Sequence, residues 1–474
     1  MALPSAAPAH PGSFVPEWVK SAVFYQIFPD RFANGDPAND PPKTEPWGKS
    51  PTSRNVFGGD LQGIIDNLEY LQKLGVNALY LNPIFEASSN HKYDTRDYMR
   101  VDPQFGDTLT LKRLVDACHL RGMRVILDGV FNHTGVQFFA FADVKEKGSL
   151  SIYKDWYSFN SFPVGPPSKP NYECWWGYGS LPRLKTDNPA VREYLFTVTR
   201  TWMALGIDGW RLDVPNEISH EFWRQWRTVV KSNNPEAYIV GEIWEDGSPW
   251  LQGDQFDAVM NYRFRNVCLE FFVQRTIGPA VFDDALARHR KDYADEVNFA
   301  LLNLLGSHDT ERFLTLCNGN TAVVKLAMLF QMTYPGAPVV YYGDEVGMSG
   351  GKDPGCRGTM VWEKNKQDTT LLKFVQDVIA LRRAHNVWTH GTIRGVLRDE
   401  KQGVFGFLRE ISGVRALVLL NRNDATASVS LDGALAGRWR RIWPVETTVG
   451  EGAGTITSTV IPPVSGAVYL EENS

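Results

Sequence analysis

Eight apolar, strand-like runs recur along this 474-residue chain, each followed by a stretch with helical spacing. They span Val23 to Pro29, Ala78 to Ile84, Arg124 to Phe131, Gly209 to Val214, Ala237 to Trp244, Asp257 to Tyr262, Ala300 to His308 and Pro338 to Glu345. Between them, segments such as LQGIIDNLEYLQKLG and TLKRLVDACHLRG carry apolar residues at helical period. Alternation of strand and helix requires a parallel sheet, because a parallel crossover needs room for a helix. Eight such units predict a closed (β/α)8 TIM barrel rather than an open sheet.

The remaining length divides around that barrel. Residues 1–20, rich in Ala and Pro, read as a flexible lead-in. Residues 21–132 and 186–390 supply the barrel. Residues 133–185 show no clean helix but many Gly, Pro, Trp and Tyr, which predicts an inserted subdomain after the third strand. Residues 391–474 change to short alternating runs (GVFGFLRE, RALVLLNR, WRRIWPV), which predict a C-terminal antiparallel β-sandwich domain.

The net charge of −5 argues against nucleic acid or an anionic membrane as partner. No apolar run is long enough for a membrane span, and MALPSAAPAHPGSF lacks the pattern of a secretory signal. Five cysteines without a CxxC predict neither a disulfide framework nor a zinc site. A cytoplasmic protein is the expectation, with a secreted mature form as the alternative.

In a barrel of this kind the chemistry sits where the C-terminal strand ends meet. Those ends carry Asp128, Asn132 and His133, then Arg211 and Asp213, then Glu242 and Trp244, then His308 and Asp309, and finally Asp344 and Glu345. Each alone has a structural explanation; Asp309, for example, opens a DTER capping-box pattern. Their convergence on one rim predicts a catalytic pocket. GWRLDV places Arg211 and Asp213 on one side of a strand. Arg211 should hold Asp213 ionised and low in pKa, making it the nucleophile candidate. Glu242 ends an apolar strand, where desolvation should keep it protonated as the general acid and later the base. Two such carboxyls about 5–5.5 Å apart perform retaining glycoside cleavage. Asp309, with His133 and His308, would bind the sugar hydroxyls.

NGDPAND places Asn34, Asp36, Asn39 and Asp40 within seven residues, and FGGD adds Asp60. Two readings stand side by side: a chain of Asx turns or an oxygen-rich calcium loop. In the insert, Trp175, Trp176 and Tyr178 (CWWGYGS) are either sugar-stacking platforms or part of a subdomain core.

These residues carry a resemblance. DGVFNH, GWRLDVPNE, EIWE, LLGSHD and GAPVVYYGDE appear in the order seen in the α-amylase family of glycoside hydrolases, family 13. The resemblance implies Asp213 as nucleophile, Glu242 as acid/base and Asp309 as transition-state stabiliser. It implies that Tyr93 (NHKYDTRDY) stacks on the sugar at the cleavage point, and that Asp353 and Arg357 (KDPGCR) line the same subsite. Asp128, His133, Arg211, Trp244 and His308 complete the substrate-binding set. YQIFPDRFANGDPANDP, NHKYDTRDY and GDQFDAVMNY resemble the neopullulanase, cyclomaltodextrinase and maltogenic amylase group. The chain departs from that group in having LPRL for MPKL and EIWED for EVWHD, and in beginning its barrel without the group's N-terminal β-domain. A more open site, and a monomer or weak homodimer, are therefore expected. The resemblance also implies a structural calcium ion held by Asn34, Asp36, Asn39, Asp40, Asp60 and the carbonyl of Gly58.

The function expected is a retaining hydrolase of α-1,4-glucosidic bonds in maltooligosaccharides, cyclodextrins, pullulan or starch, with no organic cofactor. Two alternatives are a transglycosylase on the same substrates and a catalytically inactive glucan-binding or partner subunit.

Overall fold

The computed structural model describes residues 14–430, 438–444, 454–455 and 457–472. Eight parallel strands form the centre: β1 (Phe24–Ile27), β2 (Ala78–Leu81), β3 (Arg124–Gly129), β4 (Gly209–Leu212), β5 (Tyr238–Gly241), β6 (Ala258–Val259), β7 (Leu302–Leu304) and β8 (Ala337–Tyr341). Each but β6 pairs with the next, and β8 pairs with β1. A single parallel bridge from Met260 to Leu302 joins β6 to β7 and closes the ring. All eight coincide with the runs read from the sequence. Covered by helices outside and side chains inside, such strands are apolar on both faces and carry no polar alternation.

The N-terminal strand ends are stapled by short polar side chains that accept the first strand N–H groups. Asn77 takes Val23 N at 2.7 Å, Asp208 takes Val125 N at 2.8 Å, and Asp257 takes Ile239 N at 2.9 Å. Arg124 pairs with Asp208, and Arg227 and Lys231 pair with Asp257. This end of the barrel is self-satisfied.

The structure departs from the periodicity reading in four places. LQGIIDNLEYLQKLG forms two helices, Leu61–Asp66 and Leu68–Leu74. The break falls at Asn67, whose side chain donates to Gly63 O at 2.8 Å and so competes with the backbone ladder. No α-helix follows β5; Gly247, Pro249 and Gly253 leave only a 3-10 turn, Ser248–Trp250. The insert does contain a helix, Phe139–Lys147. Its apolar residues pack on two sides, against Tyr153 and Trp156 and against Tyr157 and Tyr172, which hides the usual one-sided period. Finally, part of the lead-in is ordered. Residues 1–13 lie outside the described residues, but Glu17–Lys20 is helical and Val19 is fully buried.

Beyond the barrel, strands 392–399, 404–411, 414–421, 465–471, 438–443 and 454–455 form one antiparallel sheet in that order, and 427–430 pairs with 458–461 in a second. Period-two alternation assigns the faces. Val404 and Leu408 join a small core with Val429, Trp439 and Ile461. Phe405 and Phe407 point the other way, onto the barrel, where they meet Phe282 (5.3 Å) and Phe330 (5.8 Å). Two fully buried arginines lie beside this contact, Arg382 within the barrel and Arg409 reaching from the sheet to the barrel. Arg382 donates to the carbonyls of Met332, Tyr334, Lys20 and Gly336, and Arg409 to those of Thr333, Trp388, Gly391 and Thr392. They cap the carbonyl end of the helix Thr321–Thr333, where the helix dipole favours a cation. Among the described residues, no helix is long and apolar enough to cross a membrane.

Candidate active site

The opposite end of the barrel is built around one guanidinium. Arg211 is the third residue of β4 and is fully buried. Its Nη1 donates to Asp128 Oδ1 and Oδ2 (2.8 and 3.0 Å) and to Asp213 Oδ1 (3.0 Å). Its Nη2 forms an ion pair with Glu242 Oε2 at 2.8 Å. One cation thus gathers carboxylates from the ends of β3, β4 and β5. Register explains the convergence: Asp128 lies directly beside Arg211, and Arg211 beside Val240, two residues before Glu242.

Asp128 is saturated. Besides Arg211 it accepts from Tyr80 (2.8 Å) and Tyr93 (3.0 Å). The Tyr93 hydroxyl also accepts from Asn82 Nδ2 (3.0 Å) and lies 2.6 Å from His308 Nε2, and its ring stacks on His308 at 5.6 Å. Gln26 holds the other ring nitrogen of His308 at 2.8 Å. Asp309 faces the open pocket, its side chain 29% exposed, flanked by His308 (3.1 Å) and by Arg357 Nη2 (3.1 Å). Arg357 also pairs with Asp353 at 3.0 Å. Trp244 is 43% exposed, stacks face to face on Tyr262 at 3.7 Å, and donates from Nε1 to Glu242 Oε1 at 3.3 Å.

The residue after Asp213 is strained. Val214 is β-branched yet adopts φ 44°, ψ 45°, a left-handed conformation such residues rarely take. Its N–H lies 3.4 Å from Glu242 Oε2.

Four carboxylates (Asp128, Asp213, Glu242, Asp309) here face two arginines, so the cluster retains protons. Burial pushes Glu242 up to about 7; Arg211 opposes this, while Asp309 and Asp128 add to it. Asp213 is also raised, first by burial and then by Glu242, Asp128 and Asp309, against the pull of Arg211. The sequence expectation of a low pKa at Asp213 is therefore corrected: a guanidinium shared among three carboxylates cannot hold one of them low in a desolvated site. Burial works against ionisation of Asp309 as well, but the pairing with His308 and Arg357 and the charge of Arg211 outweigh it, and the net shift is downward. Burial lowers His308 to about 3 and His133 to about 4, so both rings are neutral at pH 7 and Arg357 is the standing cation beside Asp309.

His133 is buried against Tyr93 and His91 and links the pocket to the insert. Its ring stacks on Trp175 (5.6 Å), and Trp175 on Trp176 (5.1 Å) and Tyr178 (5.8 Å). Neither tryptophan is buried core; Trp176 is 77% exposed, with its Nε1 donating to Glu217 Oε1 at 3.1 Å. Asp344 and Glu345 are taken up elsewhere. Asp344 pairs with Arg312 at 2.8 Å, and Glu345 accepts from Tyr25 and Tyr70 behind the pocket. Sequence reasoning missed Gln26, Tyr80, Asn82 and Tyr262. The signal was present for three of them: Gln26, Tyr80 and Asn82 are polar groups in or just beyond otherwise apolar strands.

The NGDPAND loop is largely self-satisfied. Asp60 caps the helix Leu61–Asp66 through Gly63 N (2.6 Å) and accepts from Gly35 N, Asp36 N and Asn39 Nδ2. Asp36 accepts from Ala38 N, and Asn34 donates to Asp40 at 2.8 Å. Two observations fit a hard cation. Asn39 Oδ1 is buried without a hydrogen-bond partner. Gly58 has φ 79°, and a Cβ there would stand 2.2 Å from Asp40 Oδ1, so its backbone approaches that carboxylate closely.

The comparisons agree with this geometry. A family model described as "Alpha amylase, catalytic domain" matches residues 26–392. Neopullulanase 2 of Thermoactinomyces vulgaris is 53% identical over 419 residues, covering 88% of this chain and 72% of the relative. A cyclomaltodextrinase of Bacillus sp is 51% identical over 413 residues, covering 86% and 74%. Among solved structures, the ligand-free cyclic α-maltosyl-(1→6)-maltose hydrolase of Arthrobacter globiformis superposes with a TM-score of 0.89 at 40% identity, covering 96% of this chain and 99% of that one. With the barrel closed and the carboxylates of three strand ends gathered on Arg211, the chain belongs to the α-amylase family of hydrolases.

Proposed function

We propose that the protein hydrolyses α-1,4-glucosidic bonds in short or cyclic glucans with retention of configuration. The observation that carries this reading is the Asp213–Arg211–Glu242 arrangement, two buried carboxyls on adjacent strands bridged by one guanidinium. The pair titrates as a unit, and below about pH 7 it holds the proton that the leaving group needs. With substrate bound, Glu242 gives that proton to the leaving glucosidic oxygen, and Asp213, holding its Arg211 bond, attacks the anomeric carbon. Glu242 then deprotonates the water that releases the sugar. Asp309, held between His308 and Arg357, accepts hydrogen bonds from ring hydroxyls that strengthen as the ring flattens, and Tyr93 packs on the ring's apolar face. Proton NMR of fresh product reads the stereochemistry: the α-anomer should appear first, and an initial β-anomer would overturn the role of Asp213.

The Arthrobacter relative, 40% identical with 96% of this chain covered, is named for hydrolysis of a cyclic maltosyl-(1→6)-maltose, which supports cyclic, α-1,6-containing maltooligosaccharides among the substrates. A second reading, transfer to a sugar acceptor, is favoured by the exposed platforms Trp244 and Trp176 beside the pocket. The NGDPAND loop would hold a structural calcium ion through Asn34, Asp36, Asn39, Asp40, Asp60 and the Gly58 carbonyl, relieving the mutual repulsion that helps to raise Asp40. Five free cysteines suit a reducing, cytoplasmic compartment.

A further inference from the structure

We infer that Lys92 is a positioning residue for the reaction and acts through Tyr93; the inference rests on the hydrolase reading above. Tyr93 supplies the hydroxyl on which Asp128, Asn82 and His308 meet. Asp128 and Arg211 sit on strands, whereas Tyr93 rides on the loop between the hairpin strands Phe85–Ala87 and Thr95–Val101. A loop residue keeps hydrogen-bond register with strand residues only if the loop is pinned.

Lys92 is the pin. It adopts φ 64°, a conformation disfavoured for a residue with a side chain. That backbone lets its neighbours face the pocket, where the rings of His91 and Tyr93 stack at 5.8 Å, while Lys92 turns the other way. Its side chain is 4% exposed and Nζ lies 2.8 Å from Asp102 Oδ2, over the ring of Phe105 at 5.3 Å. Asp102 is itself fixed by Ala87 N (3.0 Å) and Gln104 N (3.1 Å). The ion pair therefore ties the middle of the loop to both ends of its hairpin. Lys92 touches none of the carboxylates gathered on Arg211.

The test uses Lys92→Met together with Asp102→Asn, so that no unpaired charge is left buried. On a maltooligosaccharide, kcat should fall about 10- to 100-fold with KM nearly unchanged, as expected for a slightly misplaced group. Tyr93→Phe should lower kcat in the wild type but by less than about threefold more in the Lys92/Asp102 variant, because the coupling is already lost. Multiplicative losses, or a kcat within about twofold of wild type, would overturn the inference. A crystal structure of the variant reads the inference independently of any turnover. Tyr93 Oη should leave Asp128 and His308; an unmoved Tyr93 would also overturn it. Absence of glucan cleavage by the wild type would count against the hydrolase reading instead.

Discussion

The raised acid at Glu242 should set the alkaline limit of activity. Burial pushes its carboxyl up to about 7 from an ordinary 4.5. That is about 3 kcal/mol of preference for the neutral carboxyl. The protonated fraction is then close to one at pH 5, about half at pH 7 and about one hundredth at pH 9. The rate kcat/KM on unactivated maltooligosaccharides should therefore fall tenfold per pH unit above 7, about 100-fold by pH 9. Product chromatography at fixed time, with thermal melts at each pH to exclude unfolding, measures this limb. A substrate with a strongly acidic aryl leaving group needs no proton for departure, so its glycosylation step should show a much flatter limb. A limb near 4.5, or the same limb for both substrates, would refute the assignment. The same shift couples to stability. A carboxyl raised in the folded state contributes fully below its unfolded pKa and loses that contribution as pH rises through about 7. The Glu242→Gln variant should flatten that part of the stability curve and lose most turnover of unactivated glucans.

Trp176→Ala should raise KM for long maltooligosaccharides about 3- to 10-fold, the worth of one aromatic stack, and leave short substrates unchanged; equal effects at all lengths would refute the platform role. Arg409→Met should cost about 3 kcal/mol, because buried carbonyls at the barrel–sheet interface lose their donor, and calorimetry should show a lower Tm. An unchanged Tm would mean those carbonyls find other donors. Chelation of divalent cations should lower Tm, and calcium should restore it; Asp40→Asn should weaken the response. Indifference of Tm to both chelator and calcium would remove the ion from the proposal.

The barrel was legible because its strands are buried on both faces. Continuous apolar runs such as Ala78–Leu81 and Tyr238–Gly241 need no partner to be recognised. The missing helix after β5 and the break at Asn67 were not, because short breakers act locally while periodicity averages over a window. Site residues at strand ends were legible for a related reason: charge at the end of an apolar run is conspicuous. Gln26 and Tyr80 were less so, since one polar group inside a strand reads as ordinary variation.

What the sequence determined by itself was the order of strands, and hence which carboxylates share a rim. Only the tertiary structure decided how charge is divided on that rim. The pairing Arg211–Asp213 in GWRLDV looked private, but closing the barrel brings Asp128 and Glu242 onto the same guanidinium. Burial then raises Asp213 and Glu242 together, because desolvation and repulsion depend on every neighbour in space and not on neighbours in the chain. The same closure sent Asp344 and Glu345 out of the site, to Arg312 and to Tyr25 and Tyr70.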